Sequence, residues 1–203
     1  MTTATSIPPH EQEVLRVLEQ SGALRTGHFL LSSGLHSERY CQCATLFEFP
    51  DLGGRVAGLM ASQLGANAAV DTVLAPALGG VIWGYELARA LGARSLFAER
   101  EAGQPFTLRR GFALREGERV LLAEDVITTG KSVQEVAPLV ERAGATVVGY
   151  AAVVDRSQGR FQPGVPVHAL ARLNFEVYEP AACPLCREGR PVEKPGSRAM
   201  KTV

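Results

Sequence analysis

Residues 120–132 run Val120-Leu121-Leu122-Ala123-Glu124-Asp125-Val126-Ile127-Thr128-Thr129-Gly130-Lys131-Ser132. An apolar strand ends on two adjacent carboxylates, passes a short polar loop holding Gly130, and enters a helix. In an open parallel sheet, ligands gather beyond the carboxyl ends of the strands, where such loops collect. Thr128, Thr129, Gly130, Lys131 and Ser132 offer hydroxyls and backbone N–H groups at a helix amino terminus. The orphan donors and the helix dipole both favour an anion there, so the loop is expected to cradle a phosphate. Gly130-Lys131-Ser132 resembles the end of a P-loop, but that pattern needs glycine at position 125, and Asp125 stands there. Two carboxylates beside a phosphate cradle make sense if the ligand also carries a vicinal diol, because charged acceptors bind hydroxyls strongly. Phosphate plus diol describes a ribose 5-phosphate. The plainer alternative is that Glu124 and Asp125 only cap the helix.

Outward from this stretch the same rhythm repeats. Residues 71–75 read as a buried strand, 81–91 as a helix closed by Gly92, 94–98 as a short strand, and 119–123 as the strand already described. A helix is expected over 132–143, bent or shortened by Pro138. After Gly144, residues 146–154 form a β-branched run expected inside the sheet. Alternating strands and helices predict an α/β fold with a parallel sheet covered on both faces. On the amino-terminal side, 10–19 reads as a helix, 21–43 as short strands and turns, and 51–64 as a helix capped by Asp51 and ended by Gly65. The expected organisation is a flexible stretch over 1–9, one domain over 10–180 that includes an accessory hood at about 10–50, and an irregular tail over 181–203.

Composition limits the partners. The chain has 203 residues, 21 Lys plus Arg and 21 Asp plus Glu, with 46% apolar residues. Zero net charge gives no global reason to bind nucleic acid or an anionic membrane. No apolar run reaches a bilayer span, and the amino terminus lacks the pattern of a secretory signal. Four cysteines, Cys41, Cys43, Cys183 and Cys186, are too few for a disulfide framework, so a reducing, cytoplasmic location is expected. The four could also form a thiolate zinc site if the tail folded back on the hood, and Cys41 and Cys43 could instead line a ligand pocket. His28 and His36 are expected to be hydrogen-bonded structure, and no metal held by protein ligands alone is expected.

The segment 124–132 resembles the phosphoribosyl pyrophosphate (PRPP) motif of the type I phosphoribosyltransferases. Residues 27–34 with Ser37 and Tyr40, the run 75–80, Asp155-Arg156, and Cys183-Pro184-Leu185-Cys186 resemble the orotate phosphoribosyltransferases within that family. The resemblance implies the type I phosphoribosyltransferase fold with an amino-terminal hood. It also implies phosphoribosyl transfer to orotate N1 with loss of pyrophosphate, in the pyrimidine pathway. Glu124, Asp125, Val126, Ile127, Thr128, Thr129, Gly130, Lys131 and Ser132 would bind PRPP, with the acid pair on the ribose hydroxyls. Thr128, Arg156 and Tyr40 would bind orotate, the guanidinium fork of Arg156 matching its carboxylate and carbonyls. Residues 99–112 stand where the family has a mobile catalytic loop, and Arg100, Arg109 and Arg110 are its candidate catalytic cations. An exposed hairpin with ordinary surface arginines is the alternative there. Glu99, Gly79 and Ser32 occupy positions where the family carries basic residues. Mg²⁺ bound through PRPP and pyrophosphate, and a homodimer with shared sites, are also implied. A purine-base transferase and a PRPP-sensing regulator that binds nucleic acid remain as other readings of the same motif.

Overall fold

The computed structural model describes residues 8–65 and 68–195. The flexible start expected over 1–9 falls, through residue 7, outside them. In chain order the elements are α1 (Pro9–Gln20), β1 (Leu24–Leu30), β2 (His36–Cys41), a 3₁₀ helix (Cys43–Glu48), α2 (Pro50–Leu64), β3 (Thr72–Pro76), α3 (Gly80–Leu91) and β4 (Arg94–Glu99). There follow β5 (Thr107–Leu108), β6 (Arg119–Ile127), α4 (Lys131–Arg142), β7 (Thr146–Asp155), β8 (Val167–Arg172), β9 (Val177–Tyr178), a 3₁₀ turn (Pro180–Ala182) and α5 (Pro184–Arg187).

The main sheet has six strands in the order β5-β4-β3-β6-β7-β8. Strands β4, β3, β6, β7 and β8 are parallel, and β5 pairs antiparallel with β4 at the edge. Side chains alternate along each strand and so build two cores. Leu121 and Ala123 of β6 join Val14 and Leu18 of α1, Met60 of α2 and Trp83 of α3. Val120 and Leu122 join Val133, Val136 and Val140 of α4 on the opposite face. Full burial of each such side chain contributes about 1.5–3 kcal/mol. Trp83 is wholly buried, and its indole N–H donates to the Ala151 carbonyl at 3.3 Å.

Helix α3 packs closely on the sheet at Gly84, where a Cβ would sit 2.9 Å from the Ala75 Cβ. Close approach of helix to strand sets the height of the loop between them. Of the two effects expected of Pro138, bending or shortening, shortening does not occur: α4 runs from Lys131 to Arg142. The proline is exposed, while Val133, Val136 and Val140 hold the other face on the sheet, and that apolar stripe outweighs the lost bond. Asp51 does not cap α2: Pro50 starts the helix and Asp51 sits in its first turn, where its charge complements the dipole.

The hood is a separate antiparallel sheet, β1-β2-β9. Its third strand comes from the far end of the chain, with Ser37 opposite Val177. The tail contains the 3₁₀ turn and α5, then returns to the hood at Glu193, which bridges to Phe29. Among the described residues, no helix is long and apolar enough to cross a membrane.

Candidate active site

From β3 the chain crosses through α3 to β4 on one side, while β6, on the other side of β3, leads through α4 to β7. Neighbouring loops therefore diverge between β3 and β6, and a crevice opens at their carboxyl ends. Three adjacent strands deliver to it the segment 77–79, the acid pair with its loop, and Arg156. The first two touch: a Cβ on Gly79 would lie 3.2 Å from Asp125 Oδ1. The Ala77–Leu78 peptide in that loop is cis.

The acid pair is costly to keep. Burial, and then the neighbouring Asp125 charge, push the Glu124 carboxyl up to about 7, against a hydrogen bond from Ser132 that favours the ionised form. Burial also raises Asp125, although its Oδ1 accepts the Val126 N–H at 2.9 Å. Two half-buried carboxyls that repel each other are poised to accept hydrogen bonds from a ligand's hydroxyls.

Beside them the loop is held from behind. Gly130 has φ +71°, and a Cβ there would fall 2.1 Å from the Phe161 ring, which itself packs edge-on against Tyr150. Only glycine fits both the backbone and the space. Glycine cannot cap α4 with a side chain, and Thr129 Oγ1 accepts the Lys131 N–H at 3.3 Å. The remaining first-turn amides are left to an anion. Thr128, Thr129 and Lys131 are exposed at the mouth, whereas the Ile127 side chain lies in the core and can serve only to anchor the strand.

One strand further, the backbone N–H of Arg156 donates to Ile127 O at 2.8 Å, fixing the residue beside the loop. Its guanidinium is half-buried and stacks 4.5 Å from the Phe175 ring centroid. Burial lowers its pKa, a shift opposed by the Cys41 and Tyr40 charges. The Asp155 carboxylate instead accepts the Ser157 N–H at 2.7 Å and lies 3.9 Å from Arg172. Arg156 therefore has no carboxylate partner among the described residues. Cys41 and Cys43 lie close enough to Arg156 and Asp125 to feel both charges, and the Cys43 thiol is hydrogen-bonded to Cys41. That bond lowers Cys41, against burial and assisted by Arg156, and raises Cys43, where burial adds to it and Arg156 opposes it. The four-thiolate arrangement is therefore not formed: Cys183 and Cys186 lie elsewhere, with His28 and His36. Tyr40, on β2, donates its hydroxyl to Gln42 Oε1 at 2.8 Å and packs 5.7 Å from Phe29.

Residues 99–112 form the β4–β5 hairpin, and its arginines are engaged with nearby acids. Arg110 makes a two-pronged pair with Glu99 at 2.7 and 2.9 Å, and Arg109 reaches Glu101 at 3.2 Å. Arg100 pairs with Glu135 of α4 and stacks 4.5 Å from Phe106. It also lines a hollow of about 360 Å³ with Ala77 and Leu78. Arg100 is thus the hairpin cation that borders the 77–79 segment. Sequence reading overlooked Phe161 and Phe175, which support Gly130 and Arg156 from distant loops and carry no local signal of that role.

Comparison with known proteins agrees with this geometry. The phosphoribosyl transferase domain family matches residues 44–170. An orotate phosphoribosyltransferase of Thermotoga maritima is 53% identical over 188 residues, 93% of this chain and 100% of its own length. One from Caldanaerobacter subterraneus is 46% identical over 94% of this chain and 99% of its own. The crystal structure of orotate phosphoribosyltransferase from Aeropyrum pernix superposes with a TM-score of 0.68 at 27% identity, covering 79% of this chain and 93% of that one. With the acid pair, the amide cradle and an arginine stacked on Phe175 gathered at one crevice, the chain belongs to the orotate phosphoribosyltransferases of the phosphoribosyl transferase family.

Proposed function

We propose that this chain transfers the phosphoribosyl group of PRPP to N1 of orotate, releasing pyrophosphate and forming orotidine 5′-monophosphate. The observation that carries the reading is the meeting, at the β3/β6 divergence, of a half-buried acid pair, an uncapped helix start and the half-buried Arg156. The C1–oxygen bond to pyrophosphate breaks while the C1–N1 bond forms on the opposite face, and the N1 proton leaves with the pyrophosphate. Positive charge then grows on the ribose ring and negative charge on the leaving group. Glu124 and Asp125 accept the ribose hydroxyls and hold the ring, and the first-turn amides of α4 with Thr129 and Ser132 take the 5-phosphate. Arg156, pre-oriented on Phe175, takes the orotate carboxylate as a planar fork, with Thr128 and Tyr40 beside it. Arg100, next to the 77–79 segment, is placed to meet the departing pyrophosphate, with Arg109 and Arg110 as further hairpin cations.

The donors at the acid pair are hard oxygens that suit Mg²⁺ carried in by PRPP, whereas the neighbouring thiols of Cys41 and Cys43 do not. When bound, Mg²⁺ supplies positive charge to the pyrophosphate oxygens. A homodimer is supported by Leu78, Ile82 and Tyr85, exposed by 86%, 52% and 58% along one side of the 77–79 loop and α3. Large apolar groups in such a row, beside the site, suit burial against a second copy. A cytoplasmic location is supported by four cysteines that form no disulfide.

The test follows orotate consumption by absorbance with PRPP and Mg²⁺, with light scattering of the same preparation to reveal twice the 21.7 kDa chain mass. Wild type should consume orotate, Asp125→Asn should lose activity by about 100-fold or more, and Arg100→Ala should lower turnover while orotate KM holds. Consumption of adenine or guanine in place of orotate by the folded wild type would overturn the assignment.

A further inference from the structure

Remote from the acid pair, four soft donors converge where the tail meets the hood. His28 on β1, His36 on β2, Cys183 before α5 and Cys186 within it present one donor atom each, all within 4.8 Å of one another. His28 Nε2 lies 2.8 Å from His36 Nδ1, 3.6 Å from Cys183 Sγ and 3.7 Å from Cys186 Sγ, and Cys186 Sγ lies 3.3 Å from His36 Nδ1. A tetrahedral zinc ion with its usual bond lengths has N···N, N···S and S···S edges of roughly 3.3, 3.5 and 3.8 Å. These four separations fall within about half an ångström of those edges. We propose that His28, His36, Cys183 and Cys186 hold one structural zinc ion that fastens the carboxy-terminal tail to the hood.

Three further observations bear on this. His28 Nδ1 lies 2.8 Å from the Arg190 carbonyl, which can only accept, so Nδ1 carries the proton and Nε2 turns its lone pair into the cluster. Such a backbone contact is the usual outer support of a metal-bound imidazole. Next, His28, His36 and Cys183 are buried, and Cys183 and Leu185 belong to neither of the two hydrophobic cores. Four protein donors leave no open position, which marks a structural ion rather than a catalytic one. Finally, the chain on either side is already aligned. Leu30 N–H donates to Glu193 O and Glu193 N–H to His28 O, each at 2.8 Å, and Arg25 pairs with Glu193. The ion would close a loop of some 150 residues, and its binding energy would become folding energy for the tail. The histidines alone, spaced by a hairpin, and the cysteines alone, spaced by one helical turn, each give half a site.

The full chain, purified without chelator or histidine tag, should contain about one zinc per chain by elemental analysis. Cys186→Ser should fall well below that stoichiometry, while Cys41→Ser should retain it. Cobalt-exchanged wild type should show the intense visible absorption of tetrahedral cobalt with thiolate charge transfer, a signature independent of any variant's folding. Chelator treatment should make the chain beyond residue 180 open to protease while the rest stays protected. Wild type that is folded by circular dichroism, lacks zinc and takes up none when reconstituted would overturn the proposal. So would a Cys183–Cys186 disulfide found by mass spectrometry of the unreduced chain.

Discussion

Charge is handled in opposite ways in the crevice and on the hairpin a few residues away. In the crevice, Glu124 and Asp125 repel each other in a poorly solvated place, and Arg156 is stacked on Phe175 without a carboxylate partner among the described residues. On the hairpin, Arg100, Arg109 and Arg110 are each matched with an acid, Glu135, Glu101 and Glu99. Exposed pairs of this kind contribute about 0–1 kcal/mol each, so an arriving polyanion can exchange partners with them at little cost. Unpaired, buried charge is instead a standing expense that only a ligand relieves. The difference separates a preformed binding surface from a cationic reserve held neutral until needed.

The largest effect that bears on this contrast is expected at Arg156. Arg156→Ala should raise the orotate KM by on the order of 100-fold, with PRPP affinity in equilibrium dialysis nearly unchanged. Arg156→Lys should recover only part of that, since an ammonium neither stacks nor forks. Equal loss of both affinities would show that Arg156 holds the crevice together rather than reading one ligand.

Glu124→Gln comes next and tests the cost directly. Its folded pKa is raised from 4.5 to about 7. Its favourable contribution is therefore whole below about 4.5 and is lost as pH rises through about 7. In urea titrations without ligand, the substitution should stabilise the chain by up to roughly 3 kcal/mol above about pH 8 and by almost nothing near pH 4. The same variant should bind PRPP more weakly. A stability difference that does not change with pH would remove the argument that this carboxyl is held at a loss for function.

The smallest effects are expected on the hairpin. Arg109→Ala and Arg110→Ala should each leave stability nearly unchanged, because both pairs are exposed. Arg109 has one contact at 3.2 Å and Arg110 two shorter ones, so Arg109 is the easier to release. Steady-state kinetics should accordingly show a larger loss of turnover for Arg109→Ala. The reverse order would mean that the tighter pair is the one broken during the reaction.

Much of the crevice is written locally. The order of apolar strand, acid pair, hydroxyl loop and helix in 120–132 specifies β6, its ligand loop and α4, because each feature lies within a few residues of the next. The alternation of short buried runs with helices likewise specifies the parallel sheet. What stayed hidden depends on contacts between distant positions. Strand β9 is two residues long and is a strand only because His36 and Ser37 lie opposite it. Phe161 and Phe175 acquire their roles only when loops after β7 and β8 fold over Gly130 and Arg156. The cysteines show the same limit: the sequence left open one set of four or a ligand-pocket place for Cys41 and Cys43, and folding divided them between the crevice and the tail.

Trp83 gives the molecule a single built-in optical reporter. It is the chain's one tryptophan, sealed between α3 and the sheet with its indole N–H on the Ala151 carbonyl. Its emission therefore follows the docking of α3 on the sheet and against the Phe47 ring, 6.3 Å away, and none of these contacts involves the tail. Loss of the tail's fastening would leave that signal nearly silent, while undocking of α3 would shift it to the red. A chain followed by fluorescence alone can thus look fully native with its carboxy-terminal end already released.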